Sequence, residues 1–204
     1  MSPRRPHGSL SLDDIVDAGL ALAAEVGFEK INIRALATRL DCSPMAIYGH
    51  VKDKEGLLAE MADRAIGTIK LPDHEQDWVE WYVGVALASW SMMCRYPGLD
   101  AYVLTRGPVL MTPSSIGVTN RMFEVLLRAG FSPGETATLW RTTHTYLSGH
   151  AMLARRPSSL LPANDPTLPP ATSDVYEALS APMDEDWLEA GLRHILRGFG
   201  SHEG

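Results

Sequence analysis

Apolar residues in this chain recur at steps of three and four, and the two-residue alternation of a half-buried strand is nearly absent. Leu12, Ile15, Leu22 and Val26 mark one such face; Trp78, Trp81, Val85, Ala88 and Met92 mark another. That spacing predicts an all-α fold. Capping residues punctuate it. Ser11 suits the start of the first helix, and Gly27 stands where a left-handed stop belongs. Asn32 caps a helix over 33–40, and Ser43 caps the next, with Pro44 at the first helical position, where its missing N–H costs nothing. A longer helix is expected over 53–69, before Pro72. Further helices are expected over 77–96, 100–104, 115–129, 133–155, 174–180 and 184–199, nine or ten in all. The stretch 156–173 carries five prolines and predicts a loop.

At 204 residues, 45% of them hydrophobic and 21% charged, the chain can bury a core of ordinary size. No apolar run reaches the roughly 18 residues of a membrane span, so no membrane partner is expected. The basic N-terminus has no apolar stretch behind it, which argues against a signal peptide. Cys42 and Cys94 are too few for a disulfide framework and lack metal-ligand spacing. A reduced, cytoplasmic protein with no cofactor is expected. The net charge of −7 is unevenly spread. Residues 71–204 hold nine Arg, no Lys and fifteen Asp or Glu, whereas residues 30–54 hold five Lys or Arg against two Asp. A basic head on an acidic body attracts polyanions locally.

Two motifs fail on context. Gly130 to Gly134, "GFSPG", fits the Gly-x-Ser-x-Gly nucleophile elbow, which needs a strand before the serine. The residues before it have helical spacing, and Ser132 with Glu135 makes a capping box. His144 and His150 lie six residues apart and so point to different faces of one helix. Metal-binding helices favour pairs three or four apart, so no metal site is expected. Methionines and tryptophans at helical spacing suit a core before they suit a ligand cage.

The stretch "IRALATRLDCSPMAIYGH" divides into a helix, a three-residue turn and a second helix of about two turns, 44–50. Leu36, Ala37, Leu40, Ile47 and Val51 form its inner side. Pro44, Met45, Ala46, Tyr48, Gly49 and His50 are left facing out, followed by Lys52 and Lys54. A short capped helix set steeply on its predecessor is the helix-turn-helix arrangement, whose second helix enters the DNA major groove.

Residues 31–58, "INIRALATRLDCSPMAIYGHVKDKEGLL", resemble the DNA-binding head of the TetR family of transcriptional regulators. The resemblance rests on Arg-x-Leu-Ala in the first helix of the motif and Tyr-x-His-Val before a Lys-rich helix start. "HVKDKEGLL" is similar to the tetracycline-repressor branch. It implies a DNA-binding head over 1–70, with the motif at about 33–52, and a helical body over 71–204 for dimerisation and effector binding. It also implies residue roles. Arg34 corresponds to a base-reading arginine, and Pro44, Met45 and Ala46, behind the capping Ser43, to the base-contacting start of the recognition helix. Tyr48 and His50 correspond to groups on phosphate or sugar, and Lys54, near Lys52, to a phosphate anchor. Gly49 departs from the large side chain many relatives carry. Chemistry agrees: arginine grips guanine O6 and N7, apolar groups meet a thymine methyl, and lysines suit phosphate.

For the body the resemblance implies a homodimer built on 132–155 and 184–199, with Ala137, Thr145, Ser148, Gly149, Met152, Leu188, Leu192 and Ile195 at the interface. It implies double-stranded DNA with a palindromic operator as partner, and a small, mostly apolar effector. Trp90, Met93, Tyr102 and Met111 are expected to line the effector cavity, with Met122, Trp140, Thr143, His144 and Leu147. "YVLTRGP", 102–108, lacks the histidine by which tetracycline binders ligate their metal, so tetracycline–magnesium is not the expected effector. The rival expectations are an all-helical enzyme and a dimeric scaffold whose head binds no DNA. The first needs convergent titratable groups, which the sequence does not display.

Overall fold

The computed structural model describes residues 10–73, 77–106, 112–155, 169–179 and 181–199. Among the described residues there are ten α-helices, one 3-10 turn and no strand. The first four helices form the head: α1 (Leu12–Val26), α2 (Ile33–Arg39), α3 (Pro44–Tyr48) and α4 (Lys54–Ile66), with the 3-10 turn at Phe28–Lys30. Ser11 and Asp14 close a capping box on α1, and Asn32 Oδ1 accepts from Ala35 N at 2.8 Å to start α2. Asp41 takes a left-handed φ of 51°, which aspartate tolerates better than most residues, and Cys42 N donates back to Ala37 O at 3.0 Å. Ser43 Oγ then accepts from Ala46 N at 3.2 Å, opening α3 beneath Pro44.

α3 is five residues long, shorter than expected. His50 N and Val51 N both turn onto Ile47 O, which ends the helix at Gly49. Ile47 is fully buried, and its burial contributes about 1.5–3 kcal/mol towards holding α3 on the head. α4 likewise stops at Ile66, short of residue 69. Thr68 N and Oγ1 both donate to Ala65 O and divert the chain.

The body consists of α5 (Trp78–Arg95), α6 (Leu99–Leu104), α7 (Pro113–Arg128), α8 (Pro133–Ala154), α9 (Pro170–Leu179) and α10 (Glu185–Phe199). Ser132 caps α8, its Oγ donating to Glu135 Oε2 at 2.6 Å while Glu135 N donates back to it. A helix, α7, precedes this serine, so the nucleophile-elbow context is absent. Of the expected loop over 156–173, residues 156–168 lie outside the described residues, and α9 starts at Pro170.

Two apolar cores result. One joins α1–α4 to the end of α5 and to α6 through residues such as Ile15, Leu57, Met61, Met93 and Leu99. The other joins α5, α7, α8 and α10 through Trp81, Tyr82, Leu126, Leu139 and Leu192. The first core crosses residue 70, so head and body share packing. At their joint Phe28 N donates to Pro97 O at 2.6 Å. Gly27 and Gly98 flank this contact with φ of 95° and 89°. The ψ of 149° at Gly27 corrects the expected left-handed stop: the residue is extended in the region open mainly to glycine. A Cβ on Gly98 would meet Glu29 Cγ at 3.3 Å. The start of α6 is further tied to the end of α8 by Arg155, whose Nη2 reaches both oxygens of the fully buried Asp100 carboxylate at 2.9 and 3.0 Å. Removing that arginine strands a buried charge, a loss of about 3–5 kcal/mol.

Part of the expected dimer surface is corrected by this packing. Leu188 and Leu192 are fully buried against the chain's own α5 and α8, and Ser148 is buried too. Ala137, Thr145 and Met152 are exposed, while Gly149 and Ile195 are half-buried.

Candidate functional site

The outer side of the head presents the expected residues together. Arg34 stands exposed on α2. Ser43, Pro44, Met45, Tyr48, Gly49 and His50 are exposed along α3 and its end, Met45 to 75% of its full area. Ala46 is half-buried, because it sits beside Ile47. Lys52 and Lys54 are exposed around the start of α4, whose first turn is capped by Asp53 Oδ1 on Gly56 N at 2.8 Å. The arginines of the head divide into two groups. Arg39 forks onto Glu25 at 2.7 and 2.9 Å, and Arg64 pairs with Asp13 and Asp17. Arg34, Lys52 and Lys54 form no ion pair among the described residues. Their charge is left for an outside partner, beside an apolar helix start.

A cavity of about 70 Å³ lies in the body, beneath the end of α4. Six of the expected lining residues surround it: Met93, Met122, Trp140, Thr143, His144 and Leu147. Trp90 and Tyr102 do not, which corrects the expectation for both. Trp90 packs T-shaped against His150 with ring centres 5.8 Å apart, and Tyr102 OH donates to Glu55 Oε1 at 2.9 Å. Met111 lies outside the described residues. Not expected from the sequence are Ile66 of α4 with Ile69 just beyond, Leu99 and Val103 of α6, and Ser115, Val118 and Thr119, which join Met122 on α7. Tyr82, Ser89 and Met92 of α5 complete the wall. On α7 the i, i+3, i+4 pattern of Ser115, Val118 and Thr119 was a usable signal. The residues of α6 were not legible, since six residues define no face.

The cavity's polar groups differ in how far they are satisfied. Tyr82 OH and Thr143 Oγ1 are 2.6 Å apart, and Thr143 Oγ1 also donates to backbone carbonyls one turn back. Burial pushes the Tyr82 phenol far above its usual range. Ser89 Oγ donates to Val85 O. His144 stacks on Trp140 with ring centres 4.8 Å apart and planes within 8°. Burial lowers its imidazole below the ordinary histidine value, so it is neutral at pH 7. His150, by contrast, is a core group bonded to Asp184 O at 3.0 Å.

A polar bridge joins the end of α6 to the first turn of α4. Arg106 forks onto Glu55 of α4, and its guanidinium lies 3.6 Å from the centre of the Tyr102 ring. The Arg106 hydrogen bonds hold the Glu55 carboxyl below its usual range. Burial and the neighbouring carboxylate push the Tyr102 phenol up to about 12. Tyr102 and Val103 are adjacent and so about 100° apart around α6, which turns Val103 to the cavity and Tyr102 to Glu55 of the head.

Comparison with known proteins matches this geometry. A sequence profile for bacterial regulatory proteins of the tetR family covers residues 15–61, from α1 into α4. The tetracycline repressor protein class D of Escherichia coli is 25% identical over 205 residues, spanning 93% of this chain and 89% of that protein. The fold superposes on the TetR family protein ActR of Streptomyces coelicolor, solved in complex with actinorhodin, with a TM-score of 0.77. Identity there is 22%, over 96% of this chain and 99% of the other. BioQ, solved with its double-stranded DNA operator, matches with a TM-score of 0.67 and 18% identity, over 95% and 99% of the two chains. With a head that matches the tetR-family profile over residues 15–61 and a helical body of the same fold as TetR-family proteins, this chain is similar along its length to TetR-family regulators, which supports a DNA-binding transcriptional regulator.

Proposed function

We propose that the protein is a cytoplasmic, homodimeric repressor that holds a palindromic operator and is released from it by a small, uncharged effector which it does not chemically change. Residues 1–70 read the DNA, and residues 71–204 dimerise and take the effector. Arg34 and the Pro44-Met45-Ala46 start of α3 contact bases. Tyr48, His50, Lys52 and Lys54 contact the backbone, with Ser43 and Gly49 shaping the two ends of α3. Dimerisation uses the exposed sides of α8 and α10, including Ala137, Thr145, Met152 and the 45%-exposed Trp187.

A single observation supports this reading most strongly. α4 starts at the exposed Lys54 and ends at Ile66, in the wall of the cavity. Thirteen residues at 1.5 Å each make a rigid rod of about 20 Å between the two places. A molecule that enlarges the cavity tilts this rod, and in a dimer a tilt changes the distance between two heads that must meet half-sites about 34–36 Å apart. A coupling of about 1–3 kcal/mol would weaken operator binding some 5- to 150-fold, and operator would weaken the effector equally. The test is to select an operator from random duplexes, then titrate it with and without a cavity ligand found by thermal shift. Unequal factors in the two directions, or consumption of the ligand, would refute the mechanism.

A further inference from the structure

We infer that the cavity selects uncharged ring compounds bearing hydroxyl or carbonyl groups and excludes organic ions, with Ser115, Thr119 and His144 as the groups that orient them. The inference rests on the effector-binding role proposed above and narrows it to a chemical class.

Charge comes first. Five helices contribute to the lining, and none places an Asp, Glu, Lys or Arg there. An ionised ligand would give up its hydration for a wall with no counter-ion, at a cost that outweighs any apolar gain. A neutral ligand of the same shape keeps that gain. His144 cannot serve as the missing cation, because its burial favours the neutral ring.

Hydrogen-bonding capacity comes second. The Tyr82–Thr143 pair and Ser89 are already engaged within the chain. Ser115 and Thr119, one turn apart on α7, and His144, across on α8, make no side-chain hydrogen bond among the described residues. Two hydroxyls and a neutral imidazole, each able to donate or accept, match a ligand with hydroxyl or carbonyl groups spaced around an apolar frame. The stacked Trp140–His144 pair and Tyr82 offer flat surfaces to a ring. At about 70 Å³ the cavity is too small for such a ligand as it stands. Met92, Met93 and Met122 line it, and unbranched thioether side chains can repack to make room.

Near-isosteric pairs that differ in charge test the inference: benzamide with benzoate, 2-naphthamide with 2-naphthoate, and anthraquinone-2-carboxamide with its carboxylate. Each is titrated calorimetrically into the full chain at pH 7.5. At least one amide is expected to bind, with its carboxylate weaker by about 100-fold or more. His144→Phe, which keeps a flat ring, should weaken that amide about 2- to 10-fold, and the near-isosteric Thr119→Val by a similar factor. A carboxylate within tenfold of its amide, or a panel in which no amide binds, would overturn the assignment. If an amide binds but leaves operator affinity unchanged, the ligand class stands and the release mechanism falls.

Discussion

Arg106, just past the end of α6, is forked onto Glu55 in the first turn of α4, with Nε 2.6 Å from Oε1 and Nη2 2.8 Å from Oε2. The pair joins the helix that lines the cavity to the helix whose first residue, the exposed Lys54, borders the proposed DNA-reading surface. Both partners are substantially exposed, so the fork itself adds little stability, about 0–1 kcal/mol. Its weight is geometric. Arg106→Ala is expected to leave the thermal midpoint within a few degrees of the parent. It should blunt discrimination between a selected operator and versions with one base pair added or removed between half-sites. Undiminished discrimination would show that the apolar joint alone orients the head. The fork also sets an acid dependence. Glu55 titrates below its usual range in the folded chain, so its contribution is present above that range and is lost as pH falls through the lowered value. Arg106→Ala should flatten that acid limb in a melting series.

Arg34 and Lys54 are both unpaired and exposed, yet their expected roles differ. Lys54→Ala should weaken specific and random DNA alike and reduce the salt slope by about one. Arg34→Ala should relax preference at one base pair by about 1–3 kcal/mol and affect random DNA less. Competition gel shifts at two salt concentrations separate the two outcomes. Equal losses for Arg34→Ala on both kinds of DNA would refute the division.

Leu192 and Met152 separate folding from dimerisation. Leu192 is fully buried within one chain, so Leu192→Glu should unfold or aggregate the protein whatever its oligomeric state. Met152 is 47% exposed on α8, and Met152→Glu should leave the helical content intact while shifting mass in light scattering from dimer towards monomer. An unchanged mass would move the interface away from the end of α8.

His144 should leave a signature in the pH dependence of stability. Its folded value is lowered by burial, so below the ordinary histidine range the unfolded chain takes up a proton that the folded chain refuses. Stability is therefore complete above that range and falls as pH drops through it. His144→Phe removes this component, and melting curves between pH 7.5 and 5 should converge for the variant. A parent and variant with parallel curves would show that the imidazole is reached by water.

The head was legible because its determinants are local. Asn32, Ser43 and Asp53 each cap a helix through a contact three residues away, and Ile47 and Val51 turn inward because everything around them is polar, small or solvent-facing. Such contacts depend on neighbours in the chain, so residue order and spacing suffice. α3 came out two residues short because its final hydrogen bonds, of His50 and Val51 onto Ile47 O, compete with helix continuation at Gly49 in a way that spacing does not reveal.

The sequence by itself determined the all-helical class, the caps, the two-part charge distribution and which residues of the helix-turn-helix stand exposed. Tertiary structure decided which apolar residues fill space and which enclose it. Tyr102 and Val103 are adjacent and equally buried, yet one turns to Glu55 and the other to the cavity, according to how a six-residue helix is rolled between α4 and α8. Leu192 and Met152 are both apolar residues on helices expected at the dimer surface, but packing against α5 and α8 buries only the first. Burial depends on neighbours distant in sequence, and helical periodicity fixes a face without fixing what that face meets.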